Sequence, residues 1–231
     1  RNLSVQVHAN DEQASQLDPP DLGKTEAWVI LDAKPGSKLY AGLKRGYDLA
    51  SVQREFNEDR LESCLHAVHP QPGDCFFIPA GTVHALGEGL LVAEIQQASD
   101  TTFRLFDWNR VGADGKPRAL HVQQSLDVID FDRGPVDAQV PMVIENSDAE
   151  KVERLVNCDK FILDRQTLSG STNVGGDDRF HIVCVLSGEL AIEGDPAKTT
   201  LTVGQTVLLP ASVTATLSAE ADAVFLNAYL P

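Results

Sequence analysis

The sequence predicts an all-β protein, and three observations favour this fold class. Short runs of alternating apolar and polar residues dominate, as in Leu3–His8, where every second residue is apolar. Glycine and proline punctuate the runs, as in Pro79-Ala80-Gly81. A strand-and-turn pattern also occurs twice along the chain. Many short strands separated by turn residues are typical of a sandwich or barrel.

Further runs with the character of strands follow Leu3–His8. They are Glu26–Leu31, Cys75–Ile78, Leu90–Gln97 and Thr101–Asp107, and strands resume at about Phe161. Two stretches instead have apolar residues at helical spacing. The spacing predicts one bent helix or two short helices over 48–67, and another helix over 119–130.

An internal repeat sharpens the expected architecture. Gly73–Leu86 and Gly204–Leu217 align so that the glycine, a hydrophobic run, a Pro-Ala pair and the final leucine fall in register. The repeat favours two related barrels in tandem. The alternative is a shared strand-and-turn sequence without a deeper relation. His84 of the first copy corresponds to Ala215 in the second, so we expect the second barrel to lack a metal.

Composition excludes several function classes. The chain has 231 residues, of which 42% are hydrophobic and 23% are charged, as in ordinary globular proteins. A net charge of −15 opposes binding to nucleic acid or to an anionic membrane. No apolar run approaches the roughly 18 residues of a membrane span. Four irregularly spaced cysteines without a CxxC pair favour free thiols in the cytoplasm.

Four residues have the chemistry of metal ligands. Gln6 and His8 share one face of a predicted strand, Glu26 begins another strand, and His84 follows a tight turn. Two imidazole nitrogens, a carboxylate and an amide oxygen suit Zn²⁺ or a similar divalent ion and leave room for substrate. Spacing alone leaves open that both histidines are structural.

Four motifs occur in a characteristic order around these residues. They are Gln6-x-His8, Lys24-x-Glu26, Pro79–Ala85 (PAGTVHA) and Ser99–Arg104 (SDTTFR). In this combination the chain resembles type I mannose-6-phosphate isomerases, above all their shorter bacterial branch. The resemblance is dense over residues 3–31 and 73–131 and looser elsewhere.

The resemblance implies a pair of cupin (jelly-roll) barrels, of which one holds a single divalent ion, expected to be Zn²⁺. The family's metal ligands fall on Gln6, His8, Glu26 and His84. The expected domains are a metal-binding barrel over 1–118 with a helical insertion at 48–67, a connecting segment over 119–150, and a metal-free barrel over 151–231.

The implied reaction interconverts mannose 6-phosphate and fructose 6-phosphate through an enediol. The family's active-site arginine falls on Arg104, and Lys24, Glu94 and Asp100 fall on positions that line the family's pocket. Glu94 is the first candidate for the catalytic base, and Lys24 or metal-bound water is the next candidate. A buried ion pair is an alternative role for Glu94. Lys24, Asp100 and Arg104 are expected to bind the substrate. Further candidates for the phosphate are the cations Arg110, Lys116 and Arg118.

Two other function classes fit a metal-binding cupin. One is a sugar-binding protein without turnover, and the presence of Lys24, Glu94 and Arg104 argues against it. The other is an iron dioxygenase, which usually has a histidine-rich site, whereas Gln6 stands here in place of a histidine.

The start of the chain carries a further expectation. Arg1-Asn2 leads directly into the strand that bears Gln6 and His8, whereas members of the family carry a segment ahead of this motif. We therefore expect the natural protein to have an additional N-terminal portion. The strand is also expected to be poorly anchored, because chain ends fray unless they are held by neighbours.

Overall fold

The computed structural model describes residues 2–111, 115–195 and 199–231, so Arg1 lies outside the described part. The chain divides into two compact units, an N-terminal unit (Arg1–Ala138) and a C-terminal unit (Gln139–Pro231). Both are built mainly of strands, which confirms the predicted mostly-β character and agrees with a cupin-type fold. Over the described ranges, no helix has the length and apolar character needed to cross a membrane.

The N-terminal unit contains two antiparallel sheets and short helices. Its strands are β1 (Val5–Val7), β2 (Glu26–Ala33), β3 (Leu39–Leu43), β4 (Leu65–Val68), β5 (Cys75–Ile78), β6 (His84–Leu86), β7 (Leu90–Gln96) and β8 (Phe103–Phe106). Its helices are α1 (Asp11–Ala14), α2 (Leu49–Asn57), a 3₁₀-helix (Leu61–Cys64) and α3 (Val122–Val128). The first sheet has the order β4-β3-β6-β1-β8, and the second has the order β5-β2-β7.

Strand β1 lies inside the first sheet and pairs with β6 on one side and β8 on the other. The strand is therefore held from both sides, and the expectation that it is poorly anchored is wrong. Its alternation gives it two buried faces. Val5 and Val7 pack in a core that also contains Val52 and Leu126 from the helices.

The opposite face of the first sheet meets the second sheet. The core between them contains Trp28 and Ile30 from β2 and Phe76 from β5, together with Leu39 and Ala41 from β3. These side chains are almost fully buried, and apolar burial of this kind is the main favourable contribution to folding. Toward one end of this core the side chains become polar, and the candidate ligands lie there.

The helical predictions are confirmed with shorter bounds. The 48–67 stretch forms two short helices, α2 and the 3₁₀-helix, and then turns into strand β4. Asp48 begins α2 by accepting a hydrogen bond from the backbone amide of Ser51, as N-cap residues do. The 119–130 stretch contains the single helix α3.

The C-terminal unit is built on one large antiparallel sheet. Its strands are β9 (Met142–Asn146), β10 (Glu150–Asn157), β11 (Ile162–Gly175), β12 (His181–Ser187), β13 (Leu190–Ile192), β14 (Thr200–Leu201), β15 (Thr206–Leu209) and β16 (Thr214–Tyr229). The long strands β11 and β16 pair along most of their length. Leu168, Val183 and Phe225 belong to the apolar core of this unit.

Both copies of the internal repeat form a strand, a turn and a second strand. In the first copy β5 is followed by the Pro79-Ala80-Gly81 turn and β6, and in the second copy β15 is followed by a turn and β16. Gly81 has a positive φ of 84°, and its amide donates to the carbonyl of His8. This turn needs glycine because other residues rarely adopt such a φ, and it fixes β6 beside β1.

Candidate functional site

Three polar side chains form a row across the inner face of the first sheet. In the register of the sheet, Gln6 of β1 lies opposite His84 of β6 on one side and opposite Arg104 of β8 on the other. Residues directly opposite one another in antiparallel strands have neighbouring side chains. The sheet therefore brings together residues that are 78 and 98 positions apart in the sequence.

The second sheet contributes two carboxylates to the same region. Glu26 of β2 lies opposite Gln96 of β7, and Trp28 lies opposite Glu94. Side chains two residues apart on a strand share a face, so Glu26 and Glu94 both belong to the inner face. Glu94 therefore lies on the same strand face as Gln96.

His8, Glu26 and His84 form a compact cluster of possible metal ligands. One ligand atom from each residue lies within 4.8 Å of the other two. His8 Nε2 is 3.2 Å from Glu26 Oε1, and His84 Nε2 is 3.8 Å from Glu26 Oε2. All three residues are only 1% exposed, so the cluster is shielded from bulk water.

Both imidazoles are oriented by backbone carbonyls. His8 Nδ1 lies 3.1 Å from the carbonyl oxygen of Thr101, and His84 Nδ1 lies 2.8 Å from that of Thr82. In the neutral ring, a proton on Nδ1 leaves the lone pair on Nε2. Metal-binding histidines are typically held in this way, with one nitrogen donating to the protein and the other facing the ion.

The cluster contains buried polar atoms that the rest of the described chain does not satisfy. His8 Nε2 and Glu26 Oε2 have no aligned hydrogen-bond partner within that part of the protein. Buried polar atoms in native proteins nearly always have partners. A divalent cation is the partner that two imidazole nitrogens and a carboxylate would accept together, so the donor set fits the predicted metal.

The protonation states also suit a cation. Burial lowers the pKa of His84 to about 4, so this ring is neutral at neutral pH. Burial opposes ionisation of Glu26, but the close contact with His8 and the neighbouring Lys24 ammonium outweigh it and keep the pKa of Glu26 low. Neutral imidazole and ionised carboxylate are the forms that bind metals.

Gln6 reaches the cluster with its amide nitrogen toward His84. Gln6 Nε2 lies 3.3 Å from His84 Nε2, while Gln6 Oε1 accepts from Ser4 Oγ at 3.3 Å. A metal ligand would present Oε1 instead, which exchange of the amide oxygen and nitrogen positions provides. The structure thus places Gln6 beside the proposed ligands.

The predicted acid–base residues surround the cluster. Lys24 Nζ lies 3.4 Å from Glu26 Oε1, and the lysine side chain is 13% exposed. Glu94 remains open to solvent on one side, but the protein atoms around its carboxyl raise its pKa, and the negative charge of Glu26 raises it further. Asp100 is exposed and precedes β8, four residues from Arg104.

Arg104 is fixed by the chain that follows it. Its Nη1 donates to the carbonyl of Ala119 at 2.8 Å, and its backbone amide donates to His121 Nδ1 at 3.2 Å. Its Nε is buried and has no hydrogen-bond partner among the described residues. The guanidinium thus has one buried donor that the described residues leave unused.

The remaining candidate cations are engaged elsewhere. Arg110 and Arg118 both bind the carboxylate of Asp107, which is 5% exposed. Asp107 thus holds both guanidinium groups, and it does not belong to the metal cluster. Lys116 lies beside the part of the chain that is not described.

The residues that support the candidate ligands could not be identified from the sequence. The carbonyls of Thr82 and Thr101 orient the histidines, and Asp21 in turn holds Thr101 through its backbone amide and its hydroxyl. A backbone carbonyl leaves no signal in a sequence, because every residue has one. Trp28, whose ring meets His84 edge-on at 5.3 Å, was visible only as an apolar strand residue.

The chain is similar in sequence to known proteins. No protein-family model matches the chain. Mannose-6-phosphate isomerase ManA of Bacillus subtilis (strain 168) is 36% identical over 196 residues, which are 82% of this chain and 59% of that protein. Mannose-6-phosphate isomerase of Streptococcus mutans is 32% identical over 213 residues, 91% of this chain and 65% of that protein. The chain thus spans about six-tenths of the length of these relatives.

A solved structure shows the same fold. The crystal structure of mannose 6-phosphate isomerase from Bacillus subtilis matches with a TM-score of 0.89 at 26% identity, over 98% of this chain and 71% of that one. Fold and site together define a cupin-type protein with a buried His-Glu-His metal-ligand cluster. Within that class, the chain belongs to the type I mannose-6-phosphate isomerase family.

Proposed function

We propose that this protein is a metal-dependent aldose–ketose isomerase that interconverts mannose 6-phosphate and fructose 6-phosphate. The observation that carries the proposal is the buried His8–Glu26–His84 cluster with unpartnered ligand atoms, flanked by a carboxylate and two cations. The names of the relatives supply the substrate.

The metal centre would hold one divalent ion per chain. His8, Glu26 and His84 supply three ligands, and Gln6 supplies a fourth through its amide oxygen. Mixed nitrogen and oxygen donors favour Zn²⁺ among the common ions. When bound, the ion stabilises negative charge on the carbonyl and hydroxyl oxygens of the sugar.

Glu94 is the proposed base. The open-chain aldose loses its C2 proton to this carboxylate, which gives an enediol, and the carboxyl group returns the proton to C1. A second proton passes from the C2 hydroxyl to the C1 oxygen, so the atoms balance. The raised pKa of Glu94 suits this role, because a carboxylate with a higher pKa is a stronger base.

Arg104, Lys24 and Asp100 are proposed to bind the sugar phosphate. The guanidinium of Arg104 is already fixed by Ala119, so it can stabilise developing charge without reorganising. Lys24 brings an ammonium group next to the ligands. Arg110 and Arg118 are held by the carboxylate of Asp107. Lys24 and Arg104 are therefore the better candidates for contact with the phosphate.

The architecture proposed with this function is two tandem cupin barrels. The boundary between the compact units follows Ala138, which lies inside the proposed connecting segment over 119–150 and supports this division. The strand-turn-strand form of both repeat copies also supports it. The metal is assigned to the N-terminal barrel.

Conversion of mannose 6-phosphate tests the function. The chain, loaded with Zn²⁺, is incubated with mannose 6-phosphate in D₂O, and fructose 6-phosphate is followed by NMR. We expect fructose 6-phosphate to form, and we expect Glu94→Gln to lose most of the turnover while retaining the metal. Glu189→Gln, which alters an exposed glutamate of the C-terminal unit, is the matched control and should be fully active.

The same assay separates the other function classes. A sugar-binding protein without turnover would bind mannose 6-phosphate and leave it unchanged. An iron dioxygenase would consume oxygen when loaded with Fe²⁺. Either result with an intact metal site would contradict the proposed isomerase.

A further inference from the structure

We propose that Asp21 is a positioning residue for the metal centre, which it serves by clamping the segment that orients His8. Asp21 is not itself a ligand and lies in the loop between α1 and β2. This inference rests on the proposed metal-dependent function. It assigns a role to a carboxylate that neither the motifs nor the ligand cluster includes.

His8 is oriented by a contact with the backbone of Thr101. His8 Nδ1 lies 3.1 Å from the Thr101 carbonyl oxygen, so this carbonyl fixes both the tautomer and the orientation of the ring. If the carbonyl moves, His8 Nε2 loses its position 3.2 Å from Glu26 Oε1. The position of Thr101 is therefore part of the geometry of the site.

Thr101 is in turn held by Asp21. Asp21 Oδ2 accepts from the Thr101 hydroxyl at 2.5 Å, from the Thr101 amide at 3.2 Å and from the Ser99 hydroxyl at 2.9 Å. One carboxylate oxygen thus gathers three donors from a loop of three residues. Hydrogen bonds to an ionised acceptor are stronger than neutral ones.

Asp21 is itself anchored by hydrogen bonds. Its amide donates to the carbonyl of Ala14 at the end of α1, and its Oδ1 accepts from the amide of Leu22 at 2.7 Å. The hydrogen bonds from Thr101 and Leu22, with that from Ser99, lower the pKa of Asp21 to about 2. The carboxylate is therefore ionised throughout the pH range in which the site can hold a metal.

The hydrogen bonds of Asp21 also constrain the segment that leads to Arg104. Ser99, Asp100 and Thr101 lead directly into β8, which carries Arg104. Ser99 is 3% exposed although it belongs to a loop, so this segment is packed in place. A single carboxylate therefore fixes the approach to Arg104 as well as the partner of His8.

Titration of the metal-free chain with Zn²⁺ and with Co²⁺ tests the clamp. Asp21→Ala should weaken Zn²⁺ binding by up to about 10-fold, the lower end of the effect of losing a direct outer partner of a metal-bound histidine, because Asp21 acts through Thr101. The visible absorption bands of bound Co²⁺ should shift as well, because they report on ligand geometry. Asp48→Ala removes comparable hydrogen bonds to Ser51 at the start of α2 and is the matched control. It should leave both readouts unchanged.

A second variant checks the route through Thr101. Thr101→Val removes the hydroxyl but keeps the size of the side chain and the carbonyl, so a smaller loss of affinity is expected. In a double-mutant cycle the two losses should be less than additive, because both act through one contact. This arm also decides the matter if Asp21→Ala does not fold.

The outcomes are distinguishable. Unchanged Zn²⁺ affinity and Co²⁺ spectrum in both Asp21→Ala and Thr101→Val, with normal binding by the parent chain, would overturn the clamp alone. Failure of the parent chain to bind either ion would overturn the proposed metal-dependent function and the clamp with it. Normal binding without isomerisation would contradict the proposed activity. The Zn²⁺ affinities of the variants would then still decide whether the clamp exists.

Discussion

Each unit of the molecule buries a strand histidine, and the two are used differently. In the N-terminal unit, His84 Nδ1 lies 2.8 Å from the carbonyl oxygen of Thr82. Its Nε2 faces Gln6 and lies 3.8 Å from Glu26 Oε2. In the C-terminal unit, His181 Nδ1 lies 2.9 Å from Asn227 Oδ1, and its Nε2 lies 3.1 Å from Asp177 Oδ1. The two histidines are similarly buried, but their Nε2 atoms are surrounded by different groups.

This difference separates the proposed metal ligand His84 from the structural histidine His181. A ring with carboxylate or amide oxygens at both nitrogens has both of them occupied, and the stacking of His181 on Tyr229 at 4.7 Å adds to its packing. In the N-terminal cluster, by contrast, a second histidine and a carboxylate converge on one point. Ala215, at the position of the repeat that corresponds to His84, offers no nitrogen at all.

Replacing each histidine in turn tests the comparison with the largest expected effect. His84→Ala should abolish binding of the divalent ion, because it removes one of the ligands, whereas His181→Ala should retain a full equivalent. Elemental analysis of the purified variants measures this. Undiminished metal in His84→Ala, or loss of metal in a folded His181→Ala, would contradict the assignment.

Arginine variants separate the binding of metal from catalysis. Arg104→Ala should keep the metal but lower kcat and kcat/KM together, by about 100-fold, if the guanidinium stabilises charge in the transition state. Arg118→Ala, which removes a cation bound to Asp107, is the control and should change kcat little. A rise in KM alone would show that Arg104 only binds substrate.

A change next to His181 should affect stability and not the metal. Asn227→Ala leaves His181 Nδ1 without its partner in a buried site, which costs about 1–3 kcal/mol in the free energy of unfolding. Denaturant unfolding and elemental analysis together provide the measurement. If metal content fell while stability stayed constant, the structural role of His181 would be wrong.

Asp107 provides a smaller test in the N-terminal unit, away from the ligands. Hydrogen bonds from Arg118 and Arg110 outweigh burial and lower its pKa to about 2. An unfolded aspartate has a pKa of about 3.9. The stabilisation from this depressed pKa is therefore complete above about pH 4 and is lost as the pH falls toward 2.

Asp107→Asn should remove about 1–2 kcal/mol of this pH-dependent stability. Unfolding curves collected between pH 5 and pH 2 should be less steeply pH-dependent for the variant than for the parent chain. Parallel pH profiles of the two proteins would show that Asp107 does not contribute through its charge.

Local features were predicted well from the sequence. The bounds of β5 agree to the residue, and alternation correctly places Gln6 and His8 on the same side of β1, because a strand has a period of two. The prediction is less accurate at strand ends, as where β8 begins at Phe103 instead of Thr101. Strand ends depend on hydrogen bonds to partners that a local pattern does not specify.

Long-range features came from other sources or were missed. The convergence of Glu26 and His84 depends on how two sheets face each other, which periodicity does not encode. The chemistry of these side chains suggested a shared metal site, and the motif resemblance supported it. The link from His8 through Thr101 to Asp21 left no trace in the sequence, because a backbone carbonyl is its central element. Trp28 and the partners of His181 were likewise identified only from the structure.

A metal titration of isomerase activity tests whether a single metal ion at His8, Glu26 and His84 is needed for catalysis. The chain is stripped of metal, Zn²⁺ is added in small steps, and both bound metal and conversion of mannose 6-phosphate are measured at each step. We expect no activity without metal and a linear rise that ends at one equivalent per chain. Full activity in the metal-free protein, or a rise that continues to two equivalents, would contradict a single catalytic metal at His8, Glu26 and His84.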